Sequence, residues 1–318
     1  MSIVIRVRKP GGPSVLVPED DEVGSPGPGQ VRLRQDAIGV NFVDTAFRSG
    51  AFKIPTPFIG GVEGAGIVEA LGPGVAQVAV GDRVGYFFAP GSYAEVRLVS
   101  ADVLVKLPPD VSNEQSAAFL TKGLTAWMAI RALYPVKRQE HVLVQGASGG
   151  VGSLVARWAR SFGATVIGTV GTSSKLASTK EYVDHVFLVS DPDLGKKVLA
   201  EAPGGVDVVF EFIGRASFGA SVMAVRDGGV IVNIGGASGP ADVDKETLSA
   251  RGVRVIEGST AQMVTGPTLT VATAELFYAL RSGALGDIAY TRNALVDAAK
   301  VHDDIANRRS FGPQILVP

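Results

Sequence analysis

The chain contains no cysteine among its 318 residues. That absence excludes disulfides, a thiolate nucleophile and every thiolate metal site, and it fits a cytoplasmic location. Histidine is nearly as scarce, with only His141, His185 and His302. None stands in an HExxH or paired-His spacing, so no catalytic zinc is expected, and each is read as a surface or packing histidine. Charge of one sign is lacking too: 30 Lys and Arg against 31 Asp and Glu leave a formal net charge of −1. Such a chain has no field to draw in nucleic acid or an anionic membrane, and it holds no basic run of useful length. No stretch of about 18 consecutive apolar residues occurs. The long uncharged segment at 258–274 is full of Ser, Thr, Gln, Gly and Pro. The first eight residues alternate apolar and polar and carry two arginines, which reads as a strand and not as a signal peptide. One last absence is local: from Ser153 to Lys180 there is no acidic residue.

What is present is a globular composition, 46% hydrophobic and 19% charged, with 40 glycines and 18 prolines scattered at turn positions. The length calls for two domains. Residues 3–7, 31–37, 66–71, 83–88, 93–98 and 103–106 read as short strands between Pro/Gly turns, the pattern of a small all-β barrel. After residue 110 the pattern turns helical, with Ser112 as an N-cap and helical spacing over 114–120 and 124–133. From 118 to 258 strands and helices alternate, which predicts an α/β unit with a doubly wound parallel sheet. The remaining residues hold one clear helix, 271–282, and a strand at 314–317 that reads as a return to the first domain. The expected organisation is therefore 1–117, 118–258 and a return segment 259–318.

The chain is organised around residues 142–162. An apolar run at 142–145 leads into Gly146, Gly149 and Gly152, and then into an amphipathic helix with Val151, Leu154, Val155, Trp158, Ala159 and Phe162 on one face. A strand, a turn without side chains and a helix N-terminus aim backbone N–H groups and a positive dipole end at an anion, normally a pyrophosphate. The loops at 146–152, 168–175, 212–214 and 235–239 should line one crevice beyond the strand ends. The same turn also satisfies GxSxG with Ser148 central, the signature of a hydrolase nucleophile elbow. Against that reading, no histidine precedes residue 141 to build an HGG-type oxyanion loop.

A site built for NADH ordinarily places a carboxylate about 20 residues beyond the glycine loop, where it accepts from the ribose 2′-OH and repels a 2′-phosphate. Here that carboxylate is missing. The segment GTVGTSSK at 168–175 offers hydroxyls, backbone N–H groups and one cation instead. NADPH is the expected cofactor, with Lys175 meeting the 2′-phosphate, Gly171 allowing close approach, and Thr172, Ser173 and Ser174 beside it.

Taken together, GVNFVD at 39–44 with RSG at 48–50, GVEGAG at 61–66, GDRV at 81–84, LTKGLT at 120–125, the glycines of 146–152 and GTVGT at 168–172 resemble one family. It is the zinc-free, zeta-crystallin-like quinone oxidoreductase branch of the medium-chain dehydrogenase/reductase superfamily, and the likeness spans essentially the whole chain. Zinc-dependent members place a Cys ligand where Asn41 stands and a His ligand where Val62 stands. The resemblance implies a GroES-like β-barrel catalytic domain, a Rossmann NADP-binding domain and a homodimer in the cytoplasm. It implies hydride transfer from NADPH to a quinone or an α,β-unsaturated carbonyl, a small hydrophobic electrophile, without a metal. Asn41, Asp44 and Arg48 are its active-site segment, Asn41 lying by the nicotinamide and ribose. For Asp44 and Arg48 an ordinary i, i+4 salt bridge is an equal reading.

Cofactor contacts are expected from Asn41, Lys122, Thr125, Ser148, Gly149, Gly150, Val151, Gly171, Thr172, Ser173, Ser174, Lys175, Phe212, Gly235 and Ala237. Many relatives carry Tyr where this chain has Ala46 and Phe52, so the proton for the reduced acceptor must come from water, Lys122 or a cofactor hydroxyl. Tyr93 is an outside candidate, read first as a half-buried strand aromatic. Two rivals share the fold: a 2-enoyl-thioester reductase, and a non-catalytic NADPH-binding protein of the crystallin kind.

Overall fold

The structure, a computed structural model, describes every residue except 308 and 311, and residue 245 by its backbone alone. Its packing divides the chain into two compact units, Met1–Thr121 with Ile288–Pro318, and Lys122–Asp287.

In the first unit the strand Gln30–Val40 is the axis. Its alternation buries Val31, Leu33, Gln35 and Ala37 on one face, and it pairs antiparallel with Glu63–Leu71, Val96–Ser100 and Gln314–Val317. A second, three-stranded sheet is built from Ser2–Val7, Leu16–Asp21 and Phe58–Ile59. One core gathers Val31, Leu33, Val68, Val84 and Tyr86, and another gathers Ile5, Val7, Ile38, Val40, Tyr93 and Leu316. Near its end the axial strand needs Gly39, because a Cβ there would strike the Ala117 carbonyl and the Glu63 carboxylate. The chain then leaves the sheet at Asn41 and enters the helix Phe42–Ser49.

The second unit is a six-stranded parallel sheet. Its order is His185–Leu188, Thr165–Val170, His141–Gln145, Val206–Glu211, Val225–Asn233 and Arg254–Glu257. The sheet winds outward in both directions from the adjacent strands His141–Gln145 and Val206–Glu211, so its topological switch point lies between their C-terminal ends. The helix Gly150–Ser161 buries Leu154, Val155, Trp158 and Ala159, as its periodicity requires.

Three expectations need correction. Residues 114–133 form one continuous element, the α-helix Asn113–Trp127 running into the π-helical turn Met128–Leu133. Gly123 does not break it; a Cβ there would strike Leu276, so the glycine serves close helix packing. The helix expected at 271–282 is longer, Gly266–Arg281, and belongs with the parallel sheet. Glu275 on it accepts from Trp127 Nε1 at 2.9 Å and pairs with Arg131. The first unit therefore resumes at Ile288 and not at 259, and the junction follows Thr121 instead of residue 117. The segment after 259 also holds two further helices, Thr260–Met263 and Ala298–Ala306. Among the described residues no helix is long and apolar enough to cross a membrane.

Candidate functional site

At the switch point the strand His141–Gln145 ends in a turn that depends on glycine at two of its positions, Gly146 and Gly152. Gly146 has φ of 79°, and its carbonyl lies where a Cβ on Gly152 would have to go. A Cβ on Gly149 would come within 3.2 Å of that same carbonyl, and one on Gly150 within 3.0 Å of the Lys122 stem. The helix begins at Gly150 with Gly149 as N-cap and no side chain capping it. The N–H groups of Gly150, Val151 and Gly152 therefore lack intrahelical acceptors and stand at the positive end of the helix dipole. Ser148 and Val151 are half-buried beside them. That is a cradle for an anion, and it fits the pyrophosphate of a dinucleotide.

The nucleophile-elbow reading finds no support in the geometry. Among the described residues Ser148 makes no hydrogen bond to a histidine. His141 stands at the opposite end of its strand, and His185 pairs with Glu201 at 3.1 Å.

The neighbouring loops converge on the same sheet edge. Beyond Thr165–Val170 the exposed residues Gly171, Thr172, Ser173 and Ser174 lead to half-buried Lys175, with Thr172 Oγ1 and Ser174 Oγ 3.0 Å apart. Phe212 follows Val206–Glu211, and a Cβ on Gly235 would strike its backbone, so the two loops lie in contact. Ser238 N–H donates to the Ile213 carbonyl at 2.8 Å, which holds the segment carrying exposed Ala237 against the 212–214 loop. Lys122 and Thr125 sit one turn apart on their helix, both buried, and Thr260 Oγ1 donates to Thr125 Oγ1 at 3.0 Å.

In the first unit Asn41 forms a capping box with Asp44, whose carboxylate accepts the Asn41 N–H at 2.8 Å. The Asn41 amide donates from Nδ2 to Glu63 Oε2 at 2.7 Å, and Glu63 Oε1 accepts the Thr121 N–H at 2.6 Å. Asn41 is thus gripped by two buried carboxylates, one on its backbone and one on its side chain. A carboxylate can only accept, which fixes which way the Asn41 amide faces.

Asp44 also accepts the Tyr93 hydroxyl at 3.1 Å, and Tyr93 in turn meets His302 Nε2 at 2.8 Å. Since the phenol hydrogen goes to Asp44, His302 must carry its proton on Nε2. Among the described residues its Nδ1 has no hydrogen-bond partner. Burial pushes the Tyr93 pKa well above the usual phenol value, with the Asp44 charge adding to it. Burial also drops His302 to about 3, helped by the nearby Arg48 charge.

One expectation changes here: Tyr93 is fully buried, not half-buried, and its hydroxyl is committed to Asp44, so it is no proton donor to a bound acceptor. His302 is a packing histidine, one of the two readings the sequence offered, buried within a polar chain. Arg48 is buried as well and donates to the Gly11 carbonyl at 3.2 Å, while its pKa is lowered by desolvation.

Sequence reasoning missed Glu63 and Glu211 as functional residues. Both are carboxylates of zero exposure, Glu63 at the start of the strand Glu63–Leu71 and Glu211 at the end of Val206–Glu211. Such a residue is a signal in itself, because burying a carboxylate requires a full set of donors. Among the described residues no group of three His, Cys, Asp or Glu is placed to hold a metal ion.

Comparison with known proteins agrees with this geometry. A model of the alcohol dehydrogenase GroES-like domain matches residues 27–109, and a model described as zinc-binding dehydrogenase matches residues 150–271. The chain is 36% identical over 321 residues to a quinone oxidoreductase of Pseudomonas aeruginosa, covering 97% of each chain. It is 37% identical over 329 residues to a 2-haloacrylate reductase of Burkholderia sp, covering 98% of each. Among solved structures, Escherichia coli quinone oxidoreductase complexed with NADPH superposes over 100% of both chains with a TM-score of 0.94 and 33% identity.

Proposed function

The chain belongs to the zinc-free quinone oxidoreductase branch of the medium-chain dehydrogenase/reductase superfamily, and from that premise we propose that it transfers a hydride from NADPH to a quinone or an α,β-unsaturated carbonyl. The observation that carries this reading is the uncapped glycine turn at 146–152 together with the absence of any carboxylate from Ser153 to Lys180. When bound, NADPH supplies the hydride.

The protein's own work is binding and positioning. Gly150 and Val151 offer backbone N–H groups to the pyrophosphate, with Ser148 and Gly149 beside them. Gly171, Thr172, Ser173, Ser174 and Lys175 receive the 2′-phosphate. Lys122, Thr125, Phe212, Gly235 and Ala237 complete the contacts to the cofactor. Asn41 is the residue assigned to the reacting end, through an amide whose direction Glu63 fixes. Asp44 and Arg48 serve the same helix from inside, Asp44 by capping it and Arg48 by tying it to the Gly11 carbonyl. Ala46 and Phe52 leave the acceptor side without phenols and with a ring 56% exposed, which suits a bulky hydrophobic acceptor.

The protein acts in the cytoplasm as a homodimer. Support for the dimer comes from the strand Arg254–Glu257, which ends the parallel sheet and leaves one backbone edge to pair with its copy. Light scattering of the purified protein tests the oligomer. An activity screen with NADPH across quinones and enones tests the function, and oxidation of NADPH by at least one class is the expected result. Tight NADPH binding without turnover on any acceptor would favour the crystallin-like reading instead.

A further inference from the structure

A second buried carboxylate, Glu211, stands at the end of the strand Val206–Glu211 with zero exposure and four donors around it. Its Oε1 accepts the N–H groups of Ile213 and Gly214 at 2.9 Å each and the Ser217 hydroxyl at 2.7 Å. Its Oε2 accepts the Ser221 hydroxyl at 2.7 Å. Because Ser221 spends its hydrogen on the carboxylate, its oxygen must accept, and it does so from Gln145 Nε2 at 3.0 Å. That orientation turns Gln145 Oε1 toward Thr169, whose hydroxyl donates to it at 2.7 Å. Thr169 Oγ1 is then left to accept the Gly146 N–H at 3.1 Å, while the Thr169 carbonyl takes the Ala147 N–H at 2.8 Å. Every hydrogen bond along this path runs toward Glu211, and Gln145, Thr169, Glu211 and Ser221 are all fully buried.

We propose that Glu211, Ser221, Gln145 and Thr169 form a one-directional relay in which the charge of Glu211 sets the conformation of the glycine turn across the switch point. The relay commits the Gly146 N–H to the protein interior, beside the Ala147 N–H held by the Thr169 carbonyl and the Gly149 N–H held by the Gly146 carbonyl. The N–H groups of Ser148, Gly150, Val151 and Gly152 are then left to face an anion. The same carboxylate holds the loop that carries Phe212, so one buried charge fixes both rims of the cofactor crevice. These are positioning residues. Their effect on the apo turn stands on the geometry alone, and their effect on affinity rests on the NADPH reading above.

The test compares Ser221→Ala with Ser217→Ala in the full-length chain. Each variant removes one hydroxyl from Glu211, but only Ser221 passes the bond on to Gln145. Amide hydrogen exchange of the apo protein is followed over the 146–152 segment, and the NADPH dissociation constant is measured by fluorescence titration. Ser221→Ala should speed exchange at 146–152 and weaken NADPH about fivefold, the effect of one lost buried hydrogen bond. Ser217→Ala should leave the 146–152 exchange and the affinity within twofold of wild type, roughly the resolution of such a comparison. A Ser221→Ala, Thr169→Val double variant should be no weaker than the worse single, because both cuts open the same chain.

Equal effects of Ser217→Ala and Ser221→Ala on the 146–152 segment, or multiplicative losses in the double variant, would overturn the relay. A wild-type chain that fails to bind NADPH while Ser221→Ala still loosens the turn would instead overturn the cofactor assignment and leave the relay standing.

Discussion

Replacing Lys175 by Ala should separate the two nicotinamide cofactors. The residue closes the turn Ser173–Lys175 after the strand Thr165–Val170, half-buried beside the hydroxyls of Thr172 and Ser174. Among the described residues its ammonium forms no ion pair, so meeting a 2′-phosphate breaks no existing protein contact. A charge-assisted hydrogen bond at a partly exposed position is worth about 2 kcal/mol, or a factor of about 30 in dissociation constant. Lys175 is also the N-cap of the short helix Leu176–Lys180, where a cation opposes the helix dipole, so its loss should not lower the melting temperature. Fluorescence titration of wild type and Lys175→Ala with NADPH and NADH should show NADPH weakened about thirtyfold and NADH nearly unchanged. The wild-type preference should also shrink as salt rises, since the contact is only partly shielded from solvent. Equal weakening of both cofactors, or a wild type that prefers NADH, refutes the reasoning.

Exhaustive treatment with a chelator should leave fold and activity unchanged, and stoichiometric zinc whose removal abolishes turnover would count against this. Tyr93→Phe removes two buried hydrogen bonds and should cost about 2–3 kcal/mol of stability with only a modest loss of kcat; a thousandfold loss of kcat at unchanged melting temperature would make Tyr93 the proton donor after all. His302, whose pKa burial drops to about 3, is neutral in the fold, whereas the unfolded chain takes up a proton below about pH 6.5. Its contribution is therefore intact above that pH and fades by about 1.4 kcal/mol per unit toward pH 3, roughly 2 kcal/mol at pH 5. Urea titrations of His302→Gln should show a flatter decline from pH 7 to 5 than wild type, and parallel curves would exclude the effect. Phe52, exposed and edge-on to Phe47 with ring centroids 5.9 Å apart, should favour planar hydrophobic acceptors. A higher kcat/KM for a short hydrophilic enone than for a polycyclic quinone contradicts that.

The features legible in the sequence were those that local chemistry dictates. The glycine turn could be read because φ near +79° and the close approach of Gly146 to Gly152 leave no choice of residue. The strands Thr165–Val170, His185–Leu188 and Gln314–Val317 were legible at their observed bounds from short β-rich runs between turn residues. The helix Phe42–Ser49 was not, because Asp44 and Arg48 face inward and break the apolar periodicity that announces a helix. Ala298–Ala306 is obscured in a milder way, since His302 shares its buried face with Ala298 and Val301. Glu63 escaped because its partners, Asn41 and Thr121, lie 22 and 58 residues away. No window of sequence contains them all. The misplaced return segment has a similar cause, since Gly266–Arg281 declares its unit through tertiary contacts, Leu276 with Gly123 and Glu275 with Trp127 and Arg131.

The strand Gln314–Val317 also bears on how this protein is made. It lies between Thr291–Ala294 and Gln30–Val40, with Ile315 opposite Gly39, two residues before Asn41. On a ribosome adding roughly 5–20 residues per second, the open edge of Gln30–Val40 waits on the order of 15–60 s for that partner to emerge. The contiguous unit Lys122–Asp287 is synthesised in full within that interval and can close its parallel sheet. A nascent chain thus carries a finished nucleotide-binding unit while the strand leading to Asn41 still offers unpaired backbone to any passing β-edge. Protection by a holdase chaperone during translation is needed most at that edge, and an aggregate of incomplete chains would be stitched through it.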